Sequence, residues 1–564
     1  MRINIVLLSS AFVIVCLGAG ERIRQAHSAG FQQQNSVPSA PKSQPIPSAG
    51  AAVEQTLQGE RSAATLVESF DGLGFGFEGP QGPANVRNPS DNSLAVGPDH
   101  IVQIVNARMA VFTKKGKRFA ETGRVLYGPV VTNAVFRGFG GQCEARNNGD
   151  AVVRYDQLAK RWLIVMPTFA RGPVRSDQPV PGAHGQPAQL SPPGRPNQPG
   201  PPAQLLPPPV PNPSQANRPA PASAGQGPYS MCYAISVTSD PLGKYYRYEF
   251  LRALFPDYPR PAIWPDGYYI PTSTGDEVIQ KHACVVERSK MLKGLPATEQ
   301  CIIIDGVNFL NNADIDGSGL PPPGSPNIIM AAGGTQLKNV LQDDAVFAWQ
   351  FHVDWENRSN TRITGPSRIA VAPYQYLCGG QLTNCVPQPG TDRRLDAQGD
   401  KIMARLVYRK ANGHESIVAV HSVNTSSGGG GVRWYEFRLS KDRDPVLYQQ
   451  GTYTPDSNYR WMASAAIDRN GNIGIGFSFG GGSTFPGQRF AGRLARDPLG
   501  QLTLKETVLA EGAAAQNAMR WEDYTQTAID PSDDCTIWYV GDYLKKNATN
   551  YSSRIGAFRM PGCH

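Results

Sequence analysis

Four of the eight tryptophans directly follow an arginine: Arg161-Trp162, Arg433-Trp434, Arg460-Trp461 and Arg520-Trp521. Neighbouring side chains of a strand face opposite ways, so each tryptophan can fill a core while its arginine points to the other face. There the arginine either ties the structure to a carboxylate or an aromatic ring, or offers its guanidinium fork to an acidic ligand. A second candidate chemistry lies in Asn312-Ala313-Asp314-Ile315-Asp316-Gly317, which sets oxygen ligands at alternate positions and glycine at a turn, as calcium loops do. Pro323 stands where an EF-hand needs its twelfth-position acid. The expectation is therefore an Asx turn, or calcium held in an irregular loop by Asp314 and Asp316.

Other reactive signatures are missing from the sequence. It contains no His-Glu-x-x-His and no Gly-x-x-x-x-Gly-Lys phosphate loop. His421 alternates with apolar residues within Val418 to Val423 and reads as a strand histidine satisfied by its neighbours, not as a base. The net charge of +8 is spread along 564 residues without a basic block, which argues against nucleic acid as a partner.

The elements that must position these residues are strands. With 59 glycines, 49 prolines and 18% charged residues, the chain favours many turns and short strands, and no long segment keeps a helical period. Arg2 followed by the apolar run from Ile3 to Leu17 and the small residues Gly18-Ala19-Gly20 reads as an export signal over 1–20, with cleavage near 20 or 28. Nothing later is apolar enough to span a bilayer as a helix. Residues 21–65 read as a disordered linker. Residues 173–228 hold 18 of the 49 prolines and interrupt strand-like sequence, so they read as a disordered insertion within a folded unit.

Loss of Cys16 with the signal leaves eight cysteines, an even number suited to an oxidising compartment. Closeness in sequence favours Cys378–Cys385 and Cys535–Cys563. A zinc site lacks paired CxxC spacing and a histidine cluster.

Units with a common opening begin near Asp91, Asp150, Asp257, Ser325, Asp400, Arg460 and Arg520, at separations of 59, 107, 68, 75, 60 and 60 residues. Setting the insertion aside brings the second separation to the size of the others. Each unit is expected to close on a short aromatic or aliphatic strand followed by charge: VFTKKGK, CVVERSK, WQFHVDW, YEFRLSKD, GRLARDPLG and GAFRMPG. Four-stranded sheets set radially around a channel cover one another's apolar faces, so the fold expected over 66–564 is an all-β, seven-bladed β-propeller of antiparallel blades. A tandem array of β-sandwiches is the competing fold, and it would need polar linkers between units.

The segments FGGQCEARNNGDAVVRYDQLAKRW, CYAISVTSDPLGKYYRYEF, WPDGYY, GVRWYEFRL, RWMASAAIDRNGNIGIGFS and RWEDYTQTAIDPSDDCTIWY, with the ADIDG to PPPGSPN stretch, resemble a largely uncharacterised family of bacterial secreted proteins. The resemblance implies a sialidase-like or related propeller and a Cys143–Cys232 disulfide around the insertion. Cys284–Cys301 completes the pairing set. The family usually has Gly-Asp-Tyr where this chain has Glu522-Asp523-Tyr524.

Propellers bind at loops around the channel mouth, so a ligand is expected at Asp91, Asp150, Asp400, Arg460, Arg520 or Asp523. The function expected is that of a secreted, monomeric binding or scaffold protein with a glycan or protein ligand and no cofactor other than calcium. The competing reading is a sialidase-like glycoside hydrolase that gathers Arg433, Arg460 and Arg520 with Glu522 and Tyr524, and uses a hairpin turn at Asp530 to Thr536 that loosely echoes the Asp-box.

Overall fold

The computed structural model describes residues 48–169, 186–189, 229–274, 280–337, 340–380 and 384–564. The expected export signal, most of the linker and most of the proline-rich insertion lie outside them. Among the described residues no helix is long and apolar enough to cross a membrane.

The described chain is nearly all β, and its strands follow one another as short antiparallel meanders. Ser93–Val96, His100–Val105, Arg108–Thr113 and Val125–Val131 form the first. Val152–Asp156, Arg161–Phe169, Tyr229–Ser236 and Lys244–Arg252 form the next, with 186–189 paired outside the last strand. Ala262–Ile263, a strand broken into Gly267–Tyr269 and Thr272–Thr274, Gln280–Glu287 and Glu299–Ile303 follow. Then come Asn311–Ile315 to Arg362–Ala370, Leu406–Ala411 to Pro445–Tyr453, and Tyr459–Ile467 to Thr507–Ala510. Gln526–Ile529, Thr536–Tyr543 and Ser552–Arg559 are joined at their outer edge by Thr65–Asp71 from the other end of the chain.

The first strand of each meander lies beside the first strand of the next, and Gln526–Ile529 lies against Ser93–Val96. Ala313–Ile315 and Leu406–Tyr408 come close enough to pair in parallel, fusing their two meanders into one continuous sheet. Side chains stitch other neighbours: Ser93 Oγ donates to Gln526 Oε1 at 3.0 Å, and Ser464 and Thr527 share a hydroxyl bond at 3.1 Å.

Apolar faces are buried between successive meanders, not inside any one of them. Ile104 and Met109 meet Ile164 and Met166, while Leu163 and Met231 meet Tyr268 and Val286. All four tryptophans that follow an arginine are buried in this way. Gly476 shows how tightly the layers approach, because a Cβ there would sit 2.4 Å from the Tyr539 ring. The four expected disulfides, Cys143–Cys232, Cys284–Cys301, Cys378–Cys385 and Cys535–Cys563, are all formed.

Three boundaries differ from the sequence reading. The motifs expected to close each unit form its third strand, as in Ala345–His352, Gly430–Leu439 and Thr484–Arg493. The fourth, outermost strand faces solvent and so carries little apolar pattern, as the largely exposed Arg362–Ala370 illustrates. The unit expected to open at Ser325 opens at Asn311–Ile315, whose polar side chains face the centre of the ring and disguise it as a loop. Finally, the expected linker to residue 65 is partly structured: Glu54–Gln55 pairs with Thr452 and Tyr453, and Arg61 bridges to Leu504.

Candidate ligand-binding site at the strand openings

The innermost strands all start at one end of the ring, and several are preceded there by a non-glycine residue in the left-handed region. These are Asp91 (φ 47°), Asp150 (53°), Tyr258 (54°), Gln398 (45°), Glu522 (55°) and Asp523 (71°). Such backbone costs on the order of 1 kcal/mol or more per residue and persists only where surroundings hold it. Here the openings hold one another. The Asp91 and Asn92 amides donate to the Glu522 and Tyr524 carbonyls at 2.6 and 3.2 Å, and Tyr258 Oη donates to the Asp523 carbonyl at 2.7 Å.

The result is a recess of carboxyl groups. The Asp150 carboxyl lies beside those of Asp91 and Asp257. Asp91 also accepts from Asn106 Nδ2 at 2.6 Å. Burial first, and then the charge of a neighbouring aspartate, pushes all three well above the usual carboxylate range. Asp91 is sealed at 1% exposure, whereas Asp150 and Asp257 are only half-buried, so the recess opens to solvent through them. None of the three forms an ion pair among the described residues. Tyr524 is buried beside them, edge-on to Tyr258 at 5.3 Å, and its hydroxyl has no hydrogen-bond partner.

Cations near the recess are already engaged. Arg520 Nε contacts Asp396 Oδ2 at 2.7 Å and a terminal nitrogen binds Asp523, which also accepts from Gln398 at 2.8 Å. Lys401 Nζ sits 2.6 Å from Asp400 and 4.4 Å from the centre of the Phe309 ring. The Arg260 guanidinium stacks 4.0 Å from the Tyr258 ring centre.

Asp91, Asp150, Asp400, Arg520 and Asp523 thus surround one recess, together with Tyr524. Asp257 and Lys401 belong to it as well. Asp257 was legible only as a unit opening, and its matching position in the repeat is the signal that could have placed it here.

Arg460 lies elsewhere, fully buried between Asp456 (2.9 Å) and Glu506 (2.7 Å). Arg433 donates to Thr452 Oγ1 at 2.5 Å and the Ala372 carbonyl at 3.1 Å. Among the described residues Arg433, Arg460 and Arg520 are thus each held by different partners. His421 is buried, with Nε2 2.9 Å from Tyr435 Oη, and burial lowers its pKa well below the usual histidine range.

Glu522 turns away from the recess. Its carboxylate accepts from Ser478 Oγ at 2.8 Å, Gln488 Nε2 at 3.1 Å and the Asp542 amide at 2.6 Å. The left-handed φ is one that glycine adopts without steric cost, and the three donors explain what the carboxylate adds. Glu522→Gly should relieve the backbone yet strand those buried donors, lowering unfolding free energy by about 1–3 kcal/mol in denaturant titrations. Glu522→Gln should lose less.

The calcium expectation is corrected. Asp314 and Asp316 project to the same side of Asn311–Ile315 and its end, where Arg405 occupies both: Nε lies 2.7 Å from Asp314 Oδ2, and a terminal nitrogen binds Asp316. Arg154 Nε approaches Asp314 Oδ2 at 3.4 Å, and the amides of Ile263 and Ile467 donate to the two carboxylates at 2.8 and 3.1 Å. The cavity between the innermost strands at this level is about 30 Å³, so arginine takes the place expected for the ion.

No family model matches the chain, and no curated protein does. Among solved structures, a Dyadobacter fermentans protein of unknown function is similar at 8% identity and a TM-score of 0.32, covering 88% of this chain and 100% of that one. The WD40 domain of SCAP from fission yeast is similar at 8% identity and 0.32, over 84% and 96%. A Trypanosoma rangeli sialidase is similar at 9% identity and 0.33, over 74% of this chain and 56% of its own.

Proposed function

We propose that the protein is an exported, seven-bladed β-propeller that binds an extracellular protein ligand by taking an ammonium or guanidinium group into the recess of Asp91, Asp150 and Asp257. Residues 1–20 would direct export and then be removed, and the four disulfides fit an oxidising compartment. The ring is supported by the adjacency of successive first strands and the return of the last to the first.

The observation that carries the binding reading is a row of three neighbouring carboxyls with no ion pair among the described residues, Arg520, whose charge reaches Asp91, being held by Asp396 and Asp523. Confined like charges repel, which favours the protonated acids. A ligand cation would replace the protons, with the unpartnered Tyr524 hydroxyl as a further acceptor and the Tyr258 ring as an apolar wall.

Calorimetric titration with lysine- and arginine-bearing peptides tests this. Affinity should rise from pH 5 to 8 with release of protons, and Asp150→Asn should weaken binding about tenfold, or ~1.4 kcal/mol. Binding that ignores pH and the substitution, or turnover of fluorogenic sialosides or uronides lost in Asp150→Asn, would replace this reading with another.

The recess also sets the pH dependence of stability. A carboxyl whose folded pKa is raised contributes most below the ordinary carboxylate value, and that contribution is lost as pH rises towards the folded value. Asp150→Asn, an uncharged mimic of the protonated acid, should therefore melt above the parent at pH 8. The difference should be on the order of 1–3 kcal/mol and vanish near pH 4.

A further inference from the structure

The innermost strand Leu406–Ala411 begins at the carboxyl recess and ends at a cavity of about 800 Å³ on the opposite side of the ring. Turns and strand ends of the Leu406 and Tyr459 meanders line it, with the segment around Pro561 at its edge. Five arginines face two carboxylates in its walls, Arg61, Arg409, Arg438, Arg493 and Arg496 against Glu436 and Asp497, a formal excess of three positive charges. That is the reverse of the recess.

These arginines are not equivalent. Arg61 contacts Asp497 at 3.0 Å, and Arg493 is buried against Gln449 and the carbonyls of Asp497 and Pro498. Arg409 spends its terminal nitrogens on Asp534 and the Ile467 carbonyl, but its Nε is buried without a hydrogen-bond partner. The other two are presented to the opening. Arg438 is stacked on the Tyr448 ring, 3.3 Å from its centre, with the nearest Glu436 oxygen as far as 3.5 Å, and Arg496 is exposed with no ion pair among the described residues. Stacking fixes the Arg438 fork in orientation, which lowers the entropy lost when it grips an anion.

We propose that this cavity binds an oligosaccharide bearing carboxylate or sulfate groups, with Arg438 and Arg496 as its principal anion contacts. The size argues for several sugar rings over one small anion, since cavities of a few hundred to about a thousand Å³ enclose ligands of that scale. Asn412, exposed in the same walls, spends its amino group on the Asn470 carbonyl at 2.7 Å and turns its amide oxygen to a sugar hydroxyl. The tyrosine–arginine stack supplies a rigid edge for a ring to rest against.

The test is calorimetric titration of the full disulfide-bonded chain with a heparin-derived hexasaccharide, a galacturonate hexamer, uncharged maltohexaose and inorganic sulfate. At least one acidic hexamer should bind, with affinity falling as salt is raised, while maltohexaose and sulfate bind at least tenfold more weakly. Arg438→Ala and Arg496→Glu should each weaken acidic-hexamer binding about tenfold without moving the melting temperature. Arg496→Glu lies on the surface, which keeps the test independent of folding. Asp150→Asn should leave this binding unchanged, separating failure here from failure of the recess. Absence of acidic-hexamer binding at low salt, equal binding of sulfate or maltohexaose, or indifference to both arginine substitutions would overturn the assignment.

Discussion

Arg405→Met is expected to lower the unfolding free energy by about 3–5 kcal/mol, because it leaves Asp314 and Asp316 buried with their principal counter-charge gone. Both aspartates are almost completely buried, at 3% and 1% exposure, so water cannot take over the role of the guanidinium. The remaining cation close to Asp314, Arg154, sits at 3.4 Å and cannot reach both acids with the two-pronged geometry of Arg405. The paired carboxylates in turn raise the Arg405 pKa, so it stays charged at any accessible pH. Denaturant melts of Arg405→Met beside the triple variant Arg405→Met/Asp314→Asn/Asp316→Asn separate charge from packing. The triple variant should recover much of the loss, since an unpaired buried charge is far more costly than a neutral polar group. Equal destabilisation of both would mean that the stem of Arg405, not its charge, holds the channel.

Deletion of residues up to 72 is expected to abolish a single cooperative unfolding transition and to promote aggregation. Thr65–Asp71 supplies the outer strand of the sheet that ends the chain, pairing from Thr65 opposite Arg559 to Asp71 opposite Arg554. Without it, Ser552–Arg559 presents an open edge of unpaired amides and carbonyls, a template for pairing with other molecules. The deletion also removes Phe70, which packs 5.2 Å from Phe112 in the neighbouring meander and so couples the two ends of the chain. Light scattering and thermal melts should show the defect. A synthetic peptide spanning residues 60–75 should restore the transition by adding back the missing strand. An unchanged melt of the truncated chain would mean that the ring holds without this closure.

Much of the architecture can be read from local pattern. The hairpin around Asp530, the burial of the tryptophans that follow an arginine, and openings at Asp91, Asp150, Asp257, Asp400 and Arg520 all reflect short-range alternation and turn chemistry. The errors share one cause. Asn311–Ile315 lines the centre of the ring, where polar residues pair with polar residues from other meanders, so its Asp314 and Asp316 imitate a metal loop. Outer strands such as Arg362–Ala370 carry little apolar pattern because one edge and much of their surface meet water.

By itself, then, the order of residues determined that the chain is built from repeated short strands, where most of those repeats open, and the pairing of the cysteines closest in sequence, Cys378–Cys385 and Cys535–Cys563. These follow from contacts between near neighbours in sequence or from regular spacing. Only the tertiary structure decided which charges meet: Arg405 with Asp314 and Asp316, Arg460 with Glu506, and Asp150 with Asp91 and Asp257. The reason is physical. Ion pairing acts over a few ångströms between residues tens to hundreds of positions apart, and only closure of the ring brings those distances into range.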